Sequence, residues 1–130
     1  CDAVLLSAAE MQSYEPDLSC LETLELNPLE FMPAPGQGVL AWLSHRDDLP
    51  TRRLFKQLHQ PEVSACTNVE REVLKMLGDN SPLGIFVERD ATGNYHAFAA
   101  LERDGTLYRA RLSQSTRAGL ADRVLAGLRV

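Results

Sequence analysis

Residues 31–40, with the sequence FMPAPGQGVL, restrict the conformation of this chain more than any other segment. The two prolines fix their own φ angles and push the residues before them into extended conformations. Gly36 and Gly38 permit positive φ angles and allow another backbone or a ligand to approach closely. The segment therefore predicts a rigid crossing that presents one polar side chain, that of Gln37, and a stiff turn between two domains is the alternative interpretation.

Length and composition indicate one soluble globular domain. The chain has 130 residues, of which 45% are hydrophobic, and this fraction is enough to fill a core. No apolar run approaches the length of a membrane span, and residues 1–4 have neither the basic flank nor the long apolar stretch of a signal peptide. We therefore expect a cytoplasmic protein that has no membrane partner.

Charge and cysteine content argue against several other classes. The formal net charge is -5 with both signs mixed along the chain, which argues against a nucleic-acid partner. Cys1, Cys20 and Cys66 are odd in number and widely spaced, a pattern that favours reduced thiols over a disulfide framework or a zinc site. The acidic pair Asp47 and Asp48 is better explained as helix capping than as metal ligands, so we expect no metal site.

The first part of the chain predicts two strands and two short helices. Residues 3–6 form a continuous apolar run of strand length, which indicates a buried central strand. Short helical stretches follow at 8–14 and 18–24. After a break rich in proline and glycine, residues 39–43 form a second apolar run that predicts another strand.

Two longer helices are predicted in the middle of the chain. The first begins at an N-cap formed by Asp48, has Pro50 in its first turn and ends near His59. The second covers residues 61–77, and Gly78 follows as its C-terminal cap. Apolar residues at helical spacing give each helix one apolar face. These faces consist of Leu54, Phe55 and Leu58 in the first helix and of Cys66, Val69, Val73 and Leu77 in the second.

The last third predicts a three-stranded antiparallel meander covered by one helix, so the fold class is α+β. The strands lie at 83–89, 95–101 and 107–112, and the turns between them lie at 90–94 and 103–106. Asp104 and Gly105 form the stronger of the two hairpin signals. The final helix is predicted to begin at a cap on Ser115 or Thr116 and to end near Gly127. Its covering face consists of Leu120, Val124, Leu125 and Leu128.

Four segments resemble motifs of the porphobilinogen deaminase (hydroxymethylbilane synthase) family. Residues 31–40 resemble the family's Leu-Pro-Ala-x-Gly-Gln-Gly-Ala-Leu motif. Residues 2–11 are similar to Asp-Ala-x-x-Leu-Ala-x-Ala-Gly-Leu, with Glu10 where glycine is usual. Residues 69–77 are similar to Ala-Glu-Arg-x-Phe-Leu-x-x-Leu, and 82–84 to Pro-Ile-Gly. The matches occur in the family's order and indicate its C-terminal portion, and beyond residue 84 the resemblance depends on the order of helices and strands.

The resemblance implies a division of the chain. Residues 46–130 would be the family's small C-terminal α+β domain, with an antiparallel sheet and helices on one face. Residues 1–32 would be the tail of the second domain, and residues 33–45 the strand that crosses back to the first domain. Because both of these strands need a sheet to join, we expect upstream deaminase domains or another copy of the chain as partner, in a homo-oligomer or a domain swap.

The family's chemistry depends on a residue that this chain lacks. The family condenses porphobilinogen stepwise to hydroxymethylbilane, in tetrapyrrole and heme biosynthesis, on a dipyrromethane primer attached to a cysteine. That cysteine lies in a loop of pattern Leu-x-Gly-Gly-Cys-x-x-Pro, whereas the corresponding loop here is two residues shorter and contains none. The loop consists of Gly78, Asp79, Asn80 and Ser81. Ser81 is a poor nucleophile without an adjacent base, and Cys66 is expected to be a small buried hydrophobic residue. We therefore predict that this chain carries no dipyrromethane cofactor.

By the same resemblance, the aspartate that handles the pyrrole nitrogens and the basic residues that bind substrate carboxylates belong to the preceding domains. This chain then contributes no catalytic residue and is predicted to be inactive alone. Gly36, Gln37 and Gly38 match the family's substrate-contacting residues. The arginines could bind carboxylates but are expected to be solvated or ion-paired, with Arg71 paired to its neighbouring glutamates. They are Arg52, Arg53, Arg71, Arg109 and Arg111.

The three histidines, His45, His59 and His96, have no partner in the sequence that would make a catalytic pair, and structural roles are expected. Two hypotheses remain open. The chain is either the C-terminal part of a deaminase-like transferase or a divergent, non-catalytic relative that serves as a binding or regulatory module. Whether the protein is an enzyme is therefore undecided at this point.

Overall fold

A computed structural model describes residues 2–129, apart from the side chain of Ala9. Four helices and three strands follow one another along these residues. They are α1 (Ala8–Tyr14), α2 (Leu49–Leu58), α3 (Pro61–Leu77), β1 (Leu83–Arg89), β2 (Tyr95–Arg103), β3 (Thr106–Gln114) and α4 (Leu120–Gly127). The strands form one antiparallel sheet in the order β1-β2-β3, which confirms the predicted meander and the α+β fold class.

The core lies between one face of the sheet and helices α3 and α4. Alternate residues of each strand point into it, because successive side chains of a strand lie on opposite faces. In β1 these residues are Leu83, Ile85 and Val87, and in β2 they are Ala97, Ala99 and Leu101. The helices contribute Cys66, Val69, Val73, Leu120, Ala121, Val124 and Leu128. The two predicted helical faces, at 61–77 and in the last helix, are therefore confirmed as the cover of the meander.

Local signals explain where several elements begin and end. Asp48 accepts a hydrogen bond from the backbone N–H of Thr51 at 3.1 Å, which confirms it as the N-cap of α2. Gly78 ends α3 with φ of 101°. Asp104 and Gly105 connect β2 to β3 with φ angles of 52° and 73°, as a two-residue hairpin turn requires.

The short helix α1 has a complete capping box. The Ser7 hydroxyl accepts from the N–H of Glu10 at 3.2 Å, and the Glu10 carboxylate accepts from the N–H of Ser7 at 2.8 Å. These hydrogen bonds lower the pKa of Glu10. They give a physical reason for a glutamate at a position where the deaminase motif has glycine.

The two strands predicted before residue 45 are not formed. Residues 3–6 and 39–43 lie outside the sheet, and their large apolar side chains are exposed, with Val4 at 71% and Leu43 at 95%. A strand requires a neighbouring strand to pair its backbone groups, and neither segment pairs with a strand of this sheet. The prediction of strands at residues 3–6 and 39–43 is therefore wrong for this sheet, although both segments have the apolar composition of a buried strand.

Two further boundaries differ from the predictions. No helix forms at 18–24, because the Asp17 carboxylate accepts from the N–H of Ser19 at 3.0 Å and a turn follows. Helix α4 begins at Leu120, after Gly119 with φ of 67°, and not at a cap on Ser115 or Thr116. The Thr116 hydroxyl instead accepts from Ala118 N in the preceding turn, at 3.2 Å.

Within residues 2–129, none of the helices combines the length and the apolar character needed to cross a bilayer.

Candidate functional site

The candidate site is a tight loop at residues 34–39, here called the glutamine loop. Gln37 N–H donates to the carbonyl of Ala34 at 3.0 Å, and Val39 N–H donates to that of Gly36 at 3.4 Å. Gly36 and Gly38 have φ angles of 72° and 78°, which confirms the predicted need for glycine at both positions. The loop is therefore a compact double turn with a defined backbone.

Gln37 is exposed and its side chain has two different environments. Its carbonyl oxygen Oε1 accepts from the N–H of Ala34 at 3.1 Å and so stabilises the turn. Within the described part of the chain, its amide nitrogen and the backbone N–H of Gly38 donate to no protein group. The loop therefore presents two hydrogen-bond donors to solvent, and these donors suit an acceptor such as a carboxylate.

A buried carboxylate connects the glutamine loop to the sheet. Glu70, in the middle of α3, is 6% exposed. Its Oε2 accepts from the N–H of Gly36 at 2.8 Å, and its Oε1 accepts from the N–H of Val87 in β1 at 2.9 Å. We call this pair of hydrogen bonds the Glu70 bridge. It joins a loop, a helix and a strand at one side chain.

Burial raises the pKa of Glu70, because it removes the charged form from water. The hydrogen bonds from Gly36 and Val87 oppose this effect, since they stabilise the carboxylate, but burial is the larger cause. The sequence predicts no role for Glu70 beyond pairing with Arg71. The signal was its spacing, because residue 70 falls on the apolar face of α3 together with Cys66 and Val73, where a charged side chain needs a partner.

The segment before the loop covers the outer edge of β1. The N–H of Ile85 donates to the carbonyl of Pro33 at 2.8 Å. A Cβ atom on Gly84 would lie 2.9 Å from the carbonyl oxygen of Met32, so only glycine permits this approach. The three motifs at 31–40, 69–77 and 82–84, which are distant in sequence, therefore meet at one place.

Replacing Gly84 with alanine should displace the Met32 and Pro33 backbone from the edge of β1. The free energy of unfolding should fall by about 1–3 kcal/mol, since the added methyl group meets backbone atoms that cannot rotate away. Urea denaturation would measure the loss, and amide exchange at Ile85 should become faster. An unchanged unfolding midpoint together with unchanged exchange at Ile85 would contradict the close approach.

The loop that follows α3 is fully used by the structure. Gly78 N–H donates to the carbonyl of Leu74 at 2.9 Å, and the Ser81 hydroxyl donates to the carbonyl of Leu77 at 3.0 Å. Ser81 therefore caps the end of the helix, and within residues 2–129 no side-chain base hydrogen-bonds to its oxygen. Residues 78–81 offer neither a thiol nor an activated hydroxyl, so they do not fit a covalently attached dipyrromethane.

The cysteines differ in exposure. Cys66 is 8% exposed in the core, and burial raises the pKa of its thiol, to which the negative charge of Glu70 adds. It is therefore a neutral, unreactive side chain, as predicted. Cys20 is exposed and free, and Cys1 lies outside the described residues. Among residues 2–129, no cluster of three metal-ligating side chains is present.

The arginines take roles that only partly match the predictions. Arg71 forms no ion pair with any described residue, so its predicted pairing with the neighbouring glutamates is wrong. Arg89, which sequence analysis did not single out, pairs with Glu62 at 2.8 Å. The Arg111 guanidinium lies 5.1 Å from the ring centroid of Phe98, on the sheet face opposite the core.

His96 lies in a hydrogen-bonded row that sequence analysis missed. Its Nε2 is 3.0 Å from the Asp90 carboxylate, and its Nδ1 is 2.7 Å from the Ser113 hydroxyl. The partners could be found only from the register of the meander, because His96 is opposite Ser113. Asp90 also accepts hydrogen bonds from Thr92 and Asn94, so the row fixes the β1–β2 hairpin.

Asp90 should give the domain a characteristic loss of stability in acid. The hydrogen bond from His96, followed by those from Thr92 and Asn94, holds the pKa of Asp90 well below its ordinary value of 3.8. Since the folded chain binds this proton less readily than the unfolded chain, the stabilisation by the Asp90 carboxylate is present in full at neutral pH. It falls as the pH drops below about 5. Replacing Asp90 with asparagine should destabilise the domain more at pH 7 than at pH 3. Unfolding curves at the two pH values that show equal differences would contradict this assignment.

Comparison with known proteins gives one consistent result. No family model matches the chain. It is 35% identical over 85 residues to the porphobilinogen deaminase of Limosilactobacillus reuteri, covering 64% of this chain and 28% of that protein. It is 32% identical over 100 residues to the porphobilinogen deaminase of Macrococcus caseolyticus, covering 77% of this chain and 32% of that protein. It is 37% identical over 89 residues to the porphobilinogen deaminase of Chromobacterium violaceum, covering 65% of this chain and 28% of that protein. The chain thus spans about a third of the length of these curated relatives.

Proposed function

Because this chain belongs to the porphobilinogen deaminase family, we propose that it is the C-terminal portion of a deaminase-like protein of tetrapyrrole biosynthesis. The family activity is the stepwise condensation of porphobilinogen to hydroxymethylbilane. In this proposal residues 46–130 are the C-terminal domain, residues 1–32 the tail of the second domain and residues 33–45 the crossing to the first. The protein acts in the cytoplasm.

The observation that carries the proposal is the glutamine loop. Its free donors are the side-chain amide of Gln37 and the backbone N–H of Gly38. Porphobilinogen and its oligomers offer carboxylate acceptors on their acetate and propionate side chains, whereas their pyrrole N–H groups are donors. The loop therefore binds a carboxylate of the pyrrole chain. The N–H of Gly36 stabilises the position of the loop and is not offered to the ligand, because it already donates to Glu70.

This chain does not attach a primer in the proposed protein. Supporting this point, residues 78–81 contain no cysteine, the Ser81 hydroxyl donates to the carbonyl of Leu77, and Cys66 is buried in the core. The chain alone is therefore inactive, and it contributes substrate contacts and not reacting groups. Any reacting groups come from the domains that precede this portion in the family.

The N-terminal part of the chain packs against a partner. Exposed apolar side chains support this, since Leu5 is 65% exposed and Leu40 77% exposed, and a stable protein rarely leaves such runs uncovered. The partner is the upstream deaminase domains or a second copy of the chain. Light scattering of the chain at high concentration tests the second case, in which the measured mass is a multiple of 14.4 kDa.

A second candidate function is favoured by the missing cysteine. A divergent relative that has lost its primer would still bind pyrrole carboxylates through the glutamine loop and would serve as a binding or regulatory module. The two candidate functions differ in whether the full-length protein converts porphobilinogen to product. Formation of a linear tetrapyrrole by the full-length protein supports the transferase, and binding without turnover supports the module.

The test of the proposed site is NMR of the isotope-labelled full-length protein with porphobilinogen. The largest shift changes are expected at the Gly38 backbone amide and the Gln37 side-chain amide. Gln37→Ala should remove them, whereas Gln57→Ala, which removes an exposed amide from α2, should not. Shift changes confined to other regions, or equal effects of the two substitutions, would refute the site.

A further inference from the structure

We infer that Glu70 is a positioning residue that attaches the glutamine loop to the C-terminal domain through the Glu70 bridge. The loop then moves with α3 and β1, although it lies in the segment that leads away from them. This inference depends on the proposed function only for what the loop binds. The attachment itself depends on geometry.

The two hydrogen bonds of the bridge connect remote parts of the chain. Gly36 and Glu70 are separated by 34 residues, and Glu70 and Val87 by 17. One carboxylate accepts both N–H groups, with a different oxygen for each. Of the neutral side chains, glutamine could accept at only one of its two terminal atoms, because the other is a donor. An ionised acid is therefore the group that this geometry requires.

The surroundings of Glu70 indicate that the bridge is its role. A buried charge is normally paired with a cation, but Glu70 forms no ion pair with any described residue. Its partners are backbone N–H groups, which form strong hydrogen bonds with an ionised acceptor. A charged residue on the apolar face of α3 is costly by itself, and its compensation is the attachment of the loop.

The bridge also determines which donors the loop offers. Since the N–H of Gly36 points at Glu70, a ligand cannot use it. The N–H of Gly38 and the Gln37 side-chain amide donate to no described group and stay free for a ligand. If the bridge is removed, the turn can rotate and the orientation of these donors is no longer fixed. Glu70 therefore acts on a ligand through the loop and without touching it.

Amide hydrogen exchange of the whole chain, measured without substrate, tests the bridge. In Glu70→Gln the terminal oxygen can accept from only one of the two N–H groups, so at least one of the Gly36 and Val87 amides should exchange about tenfold to a hundredfold faster relative to Ala99, whose exchange in β2 reports global opening. Glu72→Gln changes an exposed neighbour on α3 and should leave both ratios unchanged. Unchanged ratios in Glu70→Gln, or the same acceleration in Glu72→Gln, would overturn the inference.

A pH titration of the unaltered protein, followed by NMR, tests the Glu70 bridge even if the variant does not fold. The amide proton shifts of Gly36 and Val87 should follow a single midpoint in acid, identical to that of the Glu70 carboxyl carbon. Among the described residues, Glu70 is the only titratable side chain that hydrogen-bonds to either amide. Different midpoints for the two amides would overturn the bridge, whatever the protein binds.

Discussion

Replacing Ile85 with alanine is expected to lower the free energy of unfolding by about 2–5 kcal/mol. Ile85 is fully buried between α3 and the sheet, so the substitution removes apolar contacts and leaves a cavity in the only core of the described residues. Its backbone N–H also donates to the carbonyl of Pro33, so the attachment of residues 32–36 weakens with the strand. Since small domains are stable by only about 5–15 kcal/mol, much of the fold's stability would be lost.

Urea denaturation followed by circular dichroism measures this effect. Leu107→Ala is the matched control, because Leu107 lies in β3 of the same sheet but is 54% exposed. Its cost should stay below about 0.5 kcal/mol. Equal losses in the two variants would mean that the core is not where the structure places it.

Replacing Glu70 with leucine should have the next largest effect, a loss of about 2 kcal/mol. The leucine removes both hydrogen bonds of the Glu70 bridge and leaves the Val87 N–H without a partner in an apolar environment, at a cost of about 1–3 kcal/mol. Removal of the buried charge offsets part of that cost, since burial already disfavours the carboxylate. The same offset gives a pH dependence. Because the pKa of Glu70 is raised in the folded chain, the parent loses stability as the pH rises through that pKa. The leucine variant lacks this group, so its free energy of unfolding should fall furthest below that of the parent in acid.

The control for this variant is Glu72→Leu, which changes an exposed carboxylate two residues away on α3. Its free energy of unfolding should change by less than about 0.5 kcal/mol. Thermal or urea unfolding at pH 4 and pH 8 provides the comparison. A Glu70 variant as stable as the parent at both pH values would show that the bridge contributes nothing.

Much of the fold could be predicted from the sequence where local pattern and tertiary structure agree. Helix α3 has a proline at its start, a glycine cap at its end and one apolar face, and the hairpin at Asp104 has a turn sequence with few alternatives. The failures have a common cause. Residues 3–6 and 39–43 carry the composition of buried strands, but a strand depends on a partner, and composition does not say where that partner is.

The candidate site shows the same division. The need for glycine at 36 and 38 could be predicted, because a double turn with positive φ is a local property of the backbone. The role of Glu70 could not, since its hydrogen bonds reach across 34 and 17 residues. The row from Asp90 through His96 to Ser113 likewise depends on strand register. Motif resemblance located the segments, and their physical connection became visible only in three dimensions.

The contacts among the motifs give a structural reason for their occurrence together. Residues 32–36 dock through the Glu70 carboxylate on α3 and at Gly84 on β1, where the absence of a side chain leaves room for the Met32 backbone. None of these contacts involves residues 78–81. A chain could therefore lose the attachment cysteine and retain the glutamine loop in place, and our account of this protein requires that combination.

The most direct test of this account is the mass of the full-length protein after incubation with porphobilinogen, measured under denaturing conditions. We predict the unmodified mass, because the chain offers no thiol in the 78–81 loop and the only cysteine in α3 is buried. A mass increase that corresponds to dipyrromethane and survives denaturation, located in residues 61–82 by peptide mapping, would contradict the account.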